Sequence, residues 1–88
     1  MSSPAYTVSV SRPAQKEIKA LEQTVRNRVL TAIRSLTGVP RPAGCRKLVG
    51  AQNRWRVRIG DWRVIYTIND DNHAIEIIAV RHRSKAYE

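Results

Sequence analysis

One cysteine, Cys45, is all that the chain contains, so no disulfide can close within it and no cysteine cluster can hold a metal. The two histidines, His73 and His82, stand apart in sequence and supply no structural zinc site. No apolar run approaches the roughly 20 residues that span a bilayer. The first five residues lack the basic start and apolar stretch of a signal peptide. A cytoplasmic protein with no membrane partner, no metal and no other cofactor is therefore expected. Repeats and low-complexity tracts are absent as well. At 88 residues the chain is too short to bury two cores, so a single domain over 1–88 is expected. Acidic residues are the most telling shortage. Seven Asp and Glu stand against sixteen Lys and Arg, for a net charge of +9 and a pI near 10.9. Such an imbalance on a small domain implies a polyanionic partner.

What is present reads as an α+β domain. Tyr6, Val8 and Val10 alternate with Thr7 and Ser9, the pattern of a half-buried strand. Ser11 is placed to cap a helix, and Pro13 falls in its first turn. Ala14, Ile18, Leu21, Val25, Val29, Ile33 and Leu36 then recur every three or four residues, the stripe of an amphipathic helix. Period alone leaves open one helix over 11–37 or a hairpin bent near 22–24. Gly38 and Pro40 end the segment, and 39–53 reads as a basic loop. Residues 54–59 alternate strictly, and Gly60-Asp61 forms a two-residue turn with glycine first, which suits type II′. A second strand follows over 62–68. The polar run 69–72 is another turn, and 74–80 is a further strand. The expected fold is an N-terminal strand, a two-helix hairpin, then a three-stranded antiparallel meander, together forming one twisted sheet with the helices on one face.

The hairpin fixes a geometry. A two-residue turn at Gly60-Asp61 sets Ile59 opposite Trp62, Val57 opposite Val64, and Trp55 opposite Tyr66, all on the helix side. The other face then carries Arg58 opposite Arg63, with Arg56 and Arg54 further along. Like charges directly across a sheet are destabilising. Guanidinium groups gathered in this way suit a face that receives phosphates, which arginine grips bidentately. A solvated outer face is the plainer alternative. Cleaving RNA through its own 2′-OH needs cations on the developing phosphorane charge and groups to move protons. Arginines supply the first, and His82, Lys85 and Tyr87 are candidates for the second.

The run Lys47-Leu48-Val49-Gly50, followed by Trp55-Arg56-Val57-Arg58-Ile59-Gly60-Asp61-Trp62-Arg63-Val64-Ile65-Tyr66, resembles the centre of RelE-type toxins of the RelE/ParE superfamily. The ending Val80-Arg81-His82-Arg83 with Tyr87 is similar to that family's C-terminal pattern. The resemblance implies a RelE-like fold. It also implies a type II toxin that cuts mRNA in the ribosomal A site without metal, held inactive by an acidic antitoxin. On this resemblance Arg63 contacts the scissile phosphate, and Arg83 stabilises the transition state or protonates the leaving oxygen. Tyr87 stacks on a base or assists proton transfer. Arg54, Arg56, Arg58, Arg81, Lys47 and Lys85 complete the expected RNA-binding set. Arg56 and Arg58 stand where the best-known members have lysine, which weakens a general-base role there. Arg81 replaces a usual glycine, so Arg81 and Arg83 compete for the late-arginine role, and counting back from Tyr87 favours Arg83. Two other functions stay open: a ParE-type toxin acting on gyrase, and a non-catalytic nucleic-acid-binding relative.

Overall fold

The structure is a computed structural model that describes residues 5–48, 50 and 53–85. The first strand, β1, spans Thr7–Val10. Two helices follow, α1 at Arg12–Lys19 and α2 at Gln23–Ser35. The long apolar stripe is thus a hairpin and not a single helix. Ser11 caps α1 by accepting a 3.3 Å hydrogen bond from the Ala14 N–H, with Pro13 in the first turn, where its missing N–H costs nothing. The chain breaks over residues 20–22, and Leu21 is buried there with the core residues of both helices.

Beyond the helices lie β2 (Arg46–Lys47), β3 (Arg54–Ile59), β4 (Trp62–Asn69), β5 (Ala74–His82) and a 3₁₀ turn at Arg83–Lys85. The strands form one sheet in the order β1-β5-β4-β3-β2. Three features depart from what the sequence pattern predicts. The basic loop over 39–53 contains the two-residue β2, too short and too polar to carry an alternating apolar signal. The sheet is mixed, because β1 runs parallel to β5. Parallel neighbours need a long crossover, and here everything between the two strands supplies it. The last strand also continues two residues further than expected, to His82.

The helices cover one face. Ala14, Ile18, Leu21, Val29, Ile33 and Leu36 pack with Val64, Tyr66, Ile68, Ile75, Ile77 and Val80 into one buried cluster. The hairpin register is the expected one throughout, with Ile59, Val57 and Trp55 paired to Trp62, Val64 and Tyr66. Gly60 takes a φ of 59° while Asp61 stays out of the positive region, as a type II′ turn requires. Only Val64 and Tyr66 of those six are fully buried. Trp55, Val57, Ile59 and Trp62 border the core and are half-buried.

Between Ile65 and Tyr66 the pairing with β5 slips by one residue: Ile65 faces Ala79 but Tyr66 faces Ile77, leaving Ile78 unpaired. This bulge decides which way the end of β5 points. It keeps Ile75, Ile77 and Val80 together on the core side and turns Ala79 to the opposite face.

Candidate functional site

Three rows of side chains cross the face away from the helices. One runs Arg58, Arg63, Arg81, and the next Arg46, Arg56, Ile65, Ala79. The third runs Arg54, Thr67, Glu76, Ser9. Five arginines from three strands, Arg46, Arg54, Arg56, Arg58 and Arg63, therefore share one face, and Arg81 continues the first row in the ladder while its side chain reaches Glu17. Ile65 and Ala79 form a buried apolar patch in the middle row.

Arg63 lies lowest among them, at 8% exposure the one buried charged residue among those described. Its Nη1 donates to the carbonyls of Trp62, at 3.1 Å, and Gly60, at 3.4 Å. Its Nε is buried and, among the described residues, has no hydrogen-bond partner. Burial first, and then the charges of Arg58, Arg56 and Arg83, pull the guanidinium below its ordinary pKa, with Asp61 acting weakly the other way. A cleft of about 240 Å³ opens above it, lined among the described residues by Gly44, Arg46, Arg56, Arg58 and Arg63 and by no carboxylate.

Arg83 enters from the chain's end. The backbone N–H of Arg83 donates to the Asp61 carbonyl at 2.7 Å, and its Nε lies 3.9 Å from the Asp61 carboxylate. The β3–β4 turn thus staples the 3₁₀ turn beside the arginine rows, close enough for Arg83 to act on Arg63 electrostatically. Arg81 is held differently. It stands opposite Arg63 in the ladder, yet its Nε is 3.6 Å from Glu17 of α1. The other oxygen of Glu17 accepts from the Val80 N–H at 2.9 Å, on the part of β5 that extends past β1.

The remaining candidates separate. Arg54, Arg56 and Arg58 are on the arginine face as expected. Lys47 pairs with Trp55 and so belongs to the opposite face from Arg46, because neighbours in a strand alternate. Lys85 borders a groove on the helix side with Glu17, Leu21, Trp62 and His82. His82 sets its ring edge-on to Trp62 at 5.4 Å, in the groove that Arg81 also lines, with Nδ1 3.1 Å from the Ser84 hydroxyl. Tyr87 lies outside the described residues. Among those described, no group of three or more His, Cys, Asp or Glu is placed to hold a metal ion. Sequence reasoning missed Arg46. Its strand is two residues long, and only pairing with β3 reveals its face.

Two helices on one side of a mixed five-stranded sheet, with an arginine-lined cleft on the other, define a small basic α+β protein of RelE type. The family model described as the ParE toxin of the type II toxin-antitoxin system, parDE, matches residues 8–87. The chain belongs to that family and is a toxin of a type II toxin-antitoxin system in the RelE/ParE superfamily. No curated protein matches it. Among solved structures it is similar to the archaeal RelE–RelB complex from Pyrococcus horikoshii OT3, with 29% identity and a TM-score of 0.81 over 93% of this chain and 99% of that one. It is also similar to the intact E. coli RelBE complex, with 25% identity and a TM-score of 0.76 over 89% and 96% of the two chains. The Mycobacterium tuberculosis RelBE2 complex, 23% identical with a TM-score of 0.78 over 90% and 99%, shares the fold. No helix among the described residues is long and apolar enough to cross a membrane.

Proposed function

We propose that this toxin is an endoribonuclease that cuts mRNA in the ribosomal A site by metal-independent attack of a 2′-OH on the neighbouring phosphorus. The observation that carries the reading is Arg63: a buried guanidinium whose Nε has no partner among the described residues, in a cleft that those residues line with four basic side chains and no acid. A cation held in that state is preorganised for an anion. In the proposed reaction the 2′-oxygen bonds to phosphorus and the bond to the 5′-oxygen breaks, leaving a 2′,3′-cyclic phosphate and a 5′-hydroxyl. Arg63 holds the non-bridging oxygens, flanked in the same cleft by Arg56 and Arg58, with Arg54 on a neighbouring phosphate. Arg83 serves the leaving oxygen: its side chain is exposed and its contact with Asp61 is long, at 3.9 Å, whereas Arg81 is held nearer to Glu17, at 3.6 Å, and is less exposed. Arginine is a poor base, with a pKa above about 12. The 2′-OH proton therefore leaves to water or through Tyr87. The partner is an acidic antitoxin, as in the RelE–RelB complexes that share the fold, and ribosome and mRNA are the targets in the cytoplasm.

The family model's own description, naming parDE, favours a second reading, a ParE-type toxin acting on gyrase. Single-turnover cleavage on programmed ribosomes separates the two. Wild type should cut within translated codons. Arg63→Ala and Arg83→Ala should each lose about a hundredfold in rate, as for removal of one preorganised donor. Equal rates for wild type and Arg83→Ala would remove Arg83 from the mechanism. No cleavage by wild type, with gyrase-linked double-strand breaks in cells, would establish the second reading instead.

A further inference from the structure

Arg46 stands directly opposite Arg56 across β2 and β3, just as Arg58 stands opposite Arg63 across β3 and β4. Two like-charged cross-strand pairs thus share the middle strand, each of them unfavourable by itself. All four side chains line one cleft, Gly44 lines it too, and among the described residues no carboxylate does. At the floor, the Arg63 Nε is buried and, among those residues, unpartnered. We infer that Arg46 is a phosphate-binding residue, and that β2 with Gly44 closes the open arginine face into a site for a single phosphate group. This rests on the reading of that face as a phosphate-binding surface, and it adds the residue and the loop that make the face a site.

The loop that presents Arg46 is fixed from several sides. Arg41 makes a two-pronged contact with Asp70, at 2.9 and 3.2 Å, and lies over the Trp55 ring at 4.8 Å. The buried Tyr66 hydroxyl donates to the Pro40 carbonyl at 2.9 Å. Gly44, at a φ of 86°, makes the turn into β2 in a conformation that suits glycine. Arg46 therefore reaches the cleft from an ordered strand, and little ordering entropy remains to oppose binding.

The test is titration of the whole protein with sodium phosphate, with sodium chloride at matched ionic strength as reference, followed by NMR in the arginine Nε–H region. The Arg63 Nε–H resonance should shift and saturate with phosphate alone. Arg46 is exposed, so Arg46→Ala leaves the core untouched. That variant should raise the phosphate Kd about tenfold, as for loss of one hydrogen bond to a charged group. Arg46→Lys keeps the charge without the fork geometry and should fall between. Arg34→Ala removes the same charge from the last turn of α2 and should change Kd by less than about twofold. An unchanged Kd in Arg46→Ala would overturn the assignment of Arg46. A shift that follows ionic strength whatever the anion would overturn the site. Both outcomes are read without ribosomes, so normal mRNA cleavage beside an unchanged Kd removes this inference and leaves the proposed function standing. Saturable, Arg46-dependent binding in a protein that never cuts mRNA does the reverse.

Discussion

An unsatisfied buried donor costs about 1–3 kcal/mol, and more when it is charged. Arg63 carries such a donor at Nε while Arg58, Arg56 and Arg83 repel the same guanidinium. Its hydrocarbon stem, by contrast, packs on the sheet like any apolar side chain. Arg63→Met keeps the stem and removes the charge, so it should stabilise the fold while abolishing cleavage. A gain of about 1 kcal/mol corresponds to roughly 4–8 °C in Tm for a domain of this size. Thermal unfolding followed by circular dichroism reads the change directly. A lower Tm would mean that the two carbonyl contacts of Arg63 outweigh its burial.

The turn between β4 and β5 meets Tyr6, just before β1, and the loop after α2 at a small clasp. Asp70 accepts from the Tyr6 hydroxyl at 2.6 Å and from both terminal nitrogens of Arg41. The hydrogen bond from Arg41, and then that from Tyr6, lowers the Asp70 pKa from 3.8 to about 2. A carboxyl whose folded pKa is depressed stabilises the fold above its unfolded pKa and loses that contribution as pH falls towards the folded value. Wild type should therefore melt above Asp70→Asn at pH 7, and the two curves should converge between about pH 4 and pH 2. A gap that persists at pH 2 would show that the clasp works through packing and not through charge. Because the clasp anchors the loop leading to Arg46, Asp70→Asn should also weaken phosphate binding at pH 7.

Over the whole molecule, a net charge of +9 with five arginines on one face gives salt two opposite effects. Raising ionic strength from about 0.01 M to about 0.15 M shortens the screening length from about 30 Å to about 8 Å. Self-repulsion then weakens, and Tm of the isolated toxin should rise. Over the same range, binding to RNA or ribosomes should fall steeply, as for any interaction built on phosphate contacts. Association with an acidic antitoxin should slow as well. Melting curves and pull-downs across one salt series test these together. A falling Tm would mean that ion pairs such as Arg41–Asp70 outweigh the repulsion.

The β3–β4 hairpin is legible in full from the sequence, because a two-residue turn leaves one register and strict alternation leaves one assignment of faces. Alternation alone therefore puts Arg54, Arg56, Arg58 and Arg63 on one face, where the strand pairing holds them. The helical stripe is legible too, though not its break at residues 20–22, since a bent hairpin keeps the same period. Tertiary structure alone decides the rest. The stretch Ala74–Val80 is apolar at nearly every position, so no periodicity marks the slip at Ile78. Pairing of Val80 with Val64 and of Ile77 with Tyr66 fixes it, and with it the place of Arg81 in the ladder. Arg46 and Lys47 look alike in sequence, and only pairing with Arg56 and Trp55 sends one into the cleft and the other away. The buried state of Arg63 is likewise a product of its neighbours. Local pattern determines which residues alternate. Long-range pairing determines what they face, because a strand of two residues or a one-residue bulge carries no period of its own.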